Sequence, residues 1–515
     1  MAAWKNGSAM FLGFRLGDII EVLSGRRWRP AEFWREVRLR IARFERLGLK
    51  SGERVFLPFG NRIEFFAEIL AAWRLGACVV PVDARLTAFE IATLAAAAKP
   101  RLAIVDDETP TELQSSLAAA GVTVVATTET GDEERHADRI RLDDEALILF
   151  TSGSTGNPKG VVHTHRSLAA RWISLQQRLG TRDFERTLCL LPTHFGHGLI
   201  CNCLFPWLAG NDLYITPPFK PDLIMKLGAI IDEHEITFLS SVPSIWKLAL
   251  KIARKPEKGT LRRVHVGSAP LTADSWSAIR GWTRIAQVCN AYGITETGSW
   301  VAGLVDAGCP AEDGLIGEGW GASIKILSAR DTTVELTPDL ECEPSELGFV
   351  WLSTPALMQG YFERDDLTNA AVKNGWFLTG DTGYLDEGGR LVLRGRERDE
   401  INKGGMKIYP SDVDAVVERF PSCSDVCTFA VDDAIYGQSI AMAVVLEKPS
   451  NNDIRALFAH MQDQLAEPKM PQKWWLVDAI PRTSRGKINR ELVRDACLTK
   501  PTLDLARILN EETLL

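Results

Sequence analysis

The chain has 515 residues, of which 45% are apolar and 24% charged, and a formal net charge of −8. That length holds two or more domains, and the composition is that of a globular protein rather than a disordered or fibrous one. The negative balance argues against nucleic acid or an anionic membrane surface as the main partner, so any polyanionic ligand must be met by local positive charge.

The N-terminus has no basic stretch followed by a long apolar run, so no signal peptide is expected. In chain order, residues 54–126 then alternate short β-type runs with helical patterns. Arg54–Pro58, Cys78–Val82, Arg101–Val105 and Val122–Ala126 read as strands, and Ile63–Leu75 and Thr87–Ala98 as helices. Such alternation predicts a parallel sheet with helices on its faces. Residues 127–141 are polar and charged, an exposed connection. An apolar run, Leu147–Phe150, leads into Phe-Thr-Ser-Gly-Ser-Thr-Gly-Asn-Pro-Lys-Gly at 150–160, with a helix predicted from about Thr164. Gly/Ser/Thr clusters are usually solvated turns. Four hydroxyls and a lysine behind a buried strand favour a phosphate cradle instead, built from Thr151, Ser152, Gly153, Ser154, Thr155, Gly156 and Lys159. No Gly-Lys-[Ser/Thr] closes the loop, which argues against an ordinary P-loop ATPase.

The alternation resumes with strands at Thr187–Leu191, Asp212–Thr216, Ile236–Ser240 and Arg263–Val266. Within it, Leu199–Leu208 is interrupted by Asn202 and Pro206 and is too short to span a bilayer. After about residue 315 the texture becomes short strands and turns, with a turn at Gly388-Gly389 and a strand at Arg390–Leu393. The charged run at 394–400 is the best linker candidate. Beyond it, a helix near Ser411–Arg419, strands near Val426–Val431 and Ala441–Leu446, and a helix near Asn452–Leu465 suffice for a small α+β domain. The ten cysteines are scattered. Cys201 and Cys203 are too close for an ordinary bridge and Cys423 and Cys427 lack zinc spacing, so reduced thiols in a cytoplasmic protein are expected.

Four further segments carry chemistry: Asn290-Ala-Tyr-Gly-Ile-Thr-Glu296 after a strand, Trp376-Phe-Leu-Thr-Gly-Asp381 before one, the run Asp399–Pro410, and Pro481-Arg-Thr-Ser-Arg-Gly-Lys487. Taken with the loop at 150–160, in this order and spacing, the chain resembles the adenylate-forming superfamily. That superfamily comprises acyl- and aryl-CoA synthetases, carrier-loading adenylation domains and beetle luciferases. The resemblance spans roughly residues 30–490 and is nearest in kind to the acyl- or aryl-CoA ligases. It implies an α/β fold: a large N-terminal domain (1–395) of two parallel-sheet α/β subdomains plus a β-rich subdomain, a hinge at 396–398, and a small mobile α+β C-terminal domain (399–515).

The implied reaction joins a carboxylic acid to ATP, releases pyrophosphate, and passes the acyl group to the thiol of coenzyme A. Two anions meet in its first step, so the site needs cations and oriented donors. Glu296 suits Mg²⁺ as a hard oxygen ligand, and Thr295 beside it can donate to a phosphate. The resemblance puts Tyr292, with Ala291 and Gly293, against adenine, Asn290 at the amino edge of adenine, and Gly267, Ser268 and Ala269 on its other wall. It gives Asp381 and Arg396 the ribose, and Lys487 the bridge between substrate carboxylate and α-phosphate. Gly404, Gly405 and Lys407 match the pantetheine tunnel. His194, Phe195, His197, Ser241, Val242 and Trp300, with Ser268 and Ala269, are the candidate acyl lining.

The chain departs from the family pattern in three places. Arg398 stands at a hinge position that is commonly Asp or Lys. Ile401-Asn-Lys-Gly-Gly405 replaces Ile-Lys-Val-Ser-Gly. Phe195 holds the histidine position of Pro-x-x-His-x-x-Gly, with His194 and His197 close by. No aspartate lies between Leu190 and Cys203, which counts against α-amino acids as substrates. Two acceptors remain open, free coenzyme A and the phosphopantetheine of a carrier protein acting in trans. A nucleotide-binding regulator without turnover is the non-catalytic alternative; the altered hinge is its only support.

Overall fold

The computed structural model describes residues 15–132, 139–151, 159–218, 220–305, 308–329, 331–396, 399–403, 406–433, 437–447, 449–465, 467–483 and 487–510. The predicted alternation over 54–126 is present as strands Arg54–Leu57, Cys78–Pro81, Leu102–Val105 and Thr123–Ala126, with helices Ile63–Arg74, Ala88–Ala98 and Thr111–Ala119 between them. Cys78–Pro81 and Leu102–Val105 are buried throughout and so read as continuous apolar runs, while Thr123–Ala126 at the sheet edge is only part-buried. The four strands pair in parallel, and Glu145–Thr151 adds to Cys78–Pro81 in the same sense. Two antiparallel strands, Lys159–Thr164 and Gly360–Tyr361, finish this edge.

The second sheet runs parallel through Ile19–Glu21, Asp212–Ile215, Arg186–Cys189, Phe238–Ser241, Arg263–Gly267 and Val288–Ile294. At the register shift between Tyr292 and Gly293 the ladder turns antiparallel. It continues through Ser299–Gly303, Leu315–Gly319, Leu391–Arg396, Trp376–Leu385, Gly348–Ser353 and Ser323–Leu327. The β-rich subdomain is therefore joined to the second sheet through the strand that carries Asn290 and Tyr292. The helix Ile63–Arg74 is nearly all buried, packing Phe66 on Trp207 with ring centroids 5.7 Å apart. Its Glu68, without solvent contact, is neutralised by Arg40 and Arg43.

The third sheet orders Met406–Ile408, Ile401–Lys403, Gly437–Leu446 and Cys423–Asp433, with Lys473–Leu476 on Gly437–Leu446. Helices Pro410–Glu418 and Asn451–Gln464 cover it, and Val413, Val417, Ile440, Met442, Leu457 and Trp474 form a core of their own. All ten cysteines are free thiols. Among the described residues no helix is long and apolar enough to cross a membrane.

Two local expectations are corrected. The loop at 150–160 does not feed a helix directly. Thr151 pairs with Lys159, so it closes a hairpin, and the helix His165–Leu179 starts only after the strand Lys159–Thr164, capped by Thr164. A short, continuously buried run hides the strand, because Thr164 reads equally as strand end and N-cap. Trp376–Asp381 does not precede a strand but is the first half of one, Trp376–Leu385.

Candidate active site

The strand Val288–Ile294 brings its motif to the junction of the second sheet and the β-rich subdomain. Gly267 pairs with Ala291, and a side chain at Gly267 would collide with the Ala291 carbonyl. Gly267, which opens the 267–269 segment, thus lies directly against Ala291. Asn290 donates to the Leu315 carbonyl at 3.0 Å. The hydroxyl of Tyr292 donates to Asp381 Oδ2, and Arg396 Nε meets Asp381 Oδ1 at 2.9 Å. Asp381 and Tyr292 are buried. Burial and then the Asp381 charge push the Tyr292 phenol well up, so it remains a donor. Asp381 raises the Arg396 guanidinium. Three residues far apart in sequence form one fixed tyrosine–carboxylate–guanidinium group.

Thr295 and Glu296 sit on a single 3₁₀ turn, Thr295–Thr297. Its carbonyls are pinned from the helix and strand before it. His163 Nε2 contacts the Thr295 carbonyl at 2.8 Å, and Arg171 donates to the Thr297 carbonyl through Nε at 3.1 Å and Nη2 at 2.9 Å. Burial lowers His163 to about 4 and Arg171 to about 10. The imidazole is therefore neutral, and the guanidinium is held by carbonyls. Tyr361 donates to Glu296 Oε1 at 2.8 Å, and Lys159 Nζ lies 5.6 Å from the centre of the Tyr361 ring. The carboxylate is thereby oriented through Oε1. That donor set suits Mg²⁺, which takes one or two protein carboxylates with phosphate and water. Among the described residues no group of three or more His, Cys, Asp or Glu could hold a metal.

His197 opens an i→i+5 helical stretch, His197–Leu204, and is placed by two serines, Ser268 Oγ at 2.8 Å from Nδ1 and Ser240 Oγ at 2.6 Å from Nε2. Ser268 holds its hydroxyl there from a left-handed backbone, φ 67°. Burial, and secondarily the charge of Lys487, lower His197 to about 3. The segment after Lys487 is fixed by Arg490, which opens the helix Arg490–Leu498, pairs with Asp414 at 2.7 Å and donates to the Thr428 carbonyl. Lys247–Glu418 at 2.6 Å and Ser411 with the Arg394 carbonyl at 2.7 Å tie the small domain to the large one.

Trp300 stands 5.8 Å from His197, ring to ring; Ser241 ends the strand next to Ser240, and Val242 is the N-cap of the helix Pro243–Ile252. His194 lies elsewhere, 3.5 Å from Asp83 and edge-on to Phe195. Ser152, Gly153, Ser154, Thr155, Gly156, Arg398, Gly404 and Gly405 lie outside the described residues, as do the side chains of Thr151 and Lys407. Ser240, His163, Arg171 and Tyr361 escaped the sequence reading. Tyr361 is 65 residues from Glu296, and no local pattern marks such a pair.

The AMP-binding enzyme family model matches residues 17–362, and the model of the AMP-binding enzyme C-terminal domain matches residues 412–487. The 2-succinylbenzoate–CoA ligase of Geobacillus kaustophilus is 29% identical over 484 residues, covering 93% of this chain and 96% of that one. A long-chain-fatty-acid–CoA ligase of Mycobacterium tuberculosis is 28% identical over 463 residues, covering 87% and 89%. Among solved structures, ATP-bound MatB from Rhodopseudomonas palustris superposes with a TM-score of 0.83 at 25% identity, covering 95% of this chain and 97% of that one.

Proposed function

The chain belongs to the AMP-binding enzyme family, and from that premise we propose the division of labour among its residues and the acceptor it uses. The protein is an AMP-forming acid–thiol ligase. A substrate carboxylate oxygen attacks the α-phosphorus of ATP and pyrophosphate leaves. The thiolate of coenzyme A then attacks the carbonyl carbon of the acyl-adenylate and AMP leaves. Coenzyme A, rather than a carrier protein, is the acceptor we favour, since the curated relatives are CoA ligases.

Lys487 bridges the two reacting anions; its Thr-x-x-Gly-Lys context and the C-terminal domain match that ends at this residue support the assignment. Asp381, oriented by Tyr292 and Arg396, accepts the ribose hydroxyls. Glu296, turned by Tyr361, would hold Mg²⁺, which would supply charge neutralisation at the phosphates. Residues 1–395 bind ATP and acid, and residues 399–515 rotate about 396–398 to exchange Lys487 for the thiol path. Incubation with ATP, Mg²⁺, coenzyme A and a panel of acids, read by mass spectrometry, should give AMP and an acyl-CoA. ADP as the nucleotide product, or thioester only on a carrier protein, would overturn the respective half of the proposal.

A further inference from the structure

The helix Pro243–Ile252 begins where the acyl-side strand Phe238–Ser241 ends, and its Ile245, Trp246 and Ala249 are built into the main core. Its outer face is therefore fixed relative to the site. Lys247 and Lys251 stand one turn apart on that face, and both meet carboxylates of the small domain. Lys247 Nζ lies 2.6 Å from Glu418 Oε1 and 3.8 Å from Asp425 Oδ1, and Lys251 Nζ lies 2.7 Å from Glu447. A third tie runs the other way, from Arg419 of the small domain to Asp274, at 3.5 Å, and Asp313 of the large one. The lysine pairs differ in weight. Lys251 and Glu447 keep 56% and 62% of their side chains exposed, where an ion pair contributes little. Lys247 and Glu418 keep 31% and 23%, so water and salt screen that pair less.

Lys247 also differs from the other ties in where it leads. Asp425, its second partner, accepts from Arg482 Nη2 at 2.8 Å and 2.7 Å through its two oxygens. Arg482 lies ahead of Lys487 in the same motif and is bridged antiparallel to Ile488, the residue after Lys487. The Thr483 N–H donates to the Lys487 carbonyl at 2.8 Å, and the Lys487 N–H donates to the Thr483 hydroxyl at 3.3 Å. Arg482 and the backbone of Lys487 therefore move as one piece. Glu418 ends the helix Pro410–Glu418 and Asp425 lies in the strand Cys423–Asp433, both part of the small domain's own framework. A cation fixed to the large domain thus grips that framework and, through Asp425 and Arg482, the segment that carries Lys487. With these ties made, the charge of Lys487 adds to burial in lowering His197.

Resting on the role proposed for Lys487, we propose that Lys247 is a positioning residue for acyl-adenylate formation: through Glu418 and Asp425 it holds the small domain in the orientation that keeps Lys487 at the acyl side. Lys247→Met, Lys247→Arg, Lys247→Glu, and Lys247→Glu combined with Glu418→Lys are compared in the full chain. Acid-dependent ATP–pyrophosphate exchange is run with benzoate, hexanoate and succinate, and hydrogen–deuterium exchange of the amides at 482–490 is followed without substrates. Lys247→Met should lower kcat for pyrophosphate exchange about five- to tenfold, leave KM for ATP within about twofold, and speed amide exchange at 482–490 by a comparable factor. Lys247→Glu should go further, Lys247→Arg should stay near the parent, and the reversed pair should recover most of what Lys247→Glu loses. Unchanged kcat and unchanged amide exchange in Lys247→Met and Lys247→Glu overturn the proposal and leave the ligase reading standing. So does faster amide exchange confined to 243–252 with no recovery in the reversed pair, the mark of a lysine that only stabilises its own helix. No pyrophosphate exchange by the parent with any of the acids counts against the ligase reading, and amide exchange then decides: equal rates at 482–490 in the parent and Lys247→Glu overturn the proposal.

Discussion

Replacing Tyr361 by phenylalanine removes one oxygen and leaves the ring that faces Lys159 at 5.6 Å. The deleted hydroxyl is the donor that holds Glu296 Oε1 at 2.8 Å. A hydrogen bond to a charged acceptor is worth about 1.5–3 kcal/mol, which corresponds to about 10- to 150-fold in an equilibrium or rate. Glu296 is only half-buried, so water replaces part of the lost bond and the lower end, about tenfold, is expected. Acid-dependent ATP–pyrophosphate exchange, measured across a range of Mg²⁺ concentrations, reads this directly. The apparent KM for Mg²⁺ should rise about tenfold, and excess Mg²⁺ should recover most of the rate. Exchange that is unchanged at every Mg²⁺ concentration refutes the orientation of Glu296 by Tyr361. A loss that excess Mg²⁺ does not touch refutes the metal role.

Lys487→Ala should lower acid-dependent exchange by about 10²–10³ while ATP binding, measured by calorimetry, stays near that of the parent. Asp381→Asn breaks the 2.9 Å pair with Arg396 and should weaken ATP by about tenfold or more. The same variant should bind 2′,3′-dideoxy-ATP as the parent does, and an equal loss for both nucleotides would sink the ribose assignment. Burial holds His163 at about 4 and His197 at about 3, below the ordinary 6.5. The unfolded chain takes up those protons first, so stability is full above about pH 6.5 and falls as pH drops toward 4. His163 alone accounts for about 3 kcal/mol of that loss. Urea unfolding of His163→Gln at pH 7 and pH 4.5 should show a shallower acid decline than the parent, and parallel declines would refute its buried neutral state.

The family was legible because its motifs are short runs whose residue types and order suffice: Tyr-Gly-x-Thr-Glu at 292–296, Thr-Gly-Asp at 379–381, and Thr-x-x-Gly-Lys ending at Lys487. The parallel sheet was legible for a similar reason, since strands such as Cys78–Pro81 are buried throughout and read as apolar runs. The hairpin at Lys159–Thr164 was missed because a short buried strand and the lead-in to a helix share one pattern. The acyl side was least legible. His194 and His197 are equivalent in sequence, yet one turns to Asp83 and the other to Ser240 and Ser268.

The sequence by itself determined the family and the two-step chemistry and singled out the residues proposed to meet the nucleotide, because these depend on short motifs with local geometry. Tertiary structure alone decided what orients them. Tyr361 on Glu296, Tyr292 and Arg396 on Asp381, and His265 beneath Trp300 are contacts between strands and turns distant in the chain. Hydrogen bonds and burial act over a few ångströms of space whatever the separation along the backbone, so such groups exist only once the sheets have assembled.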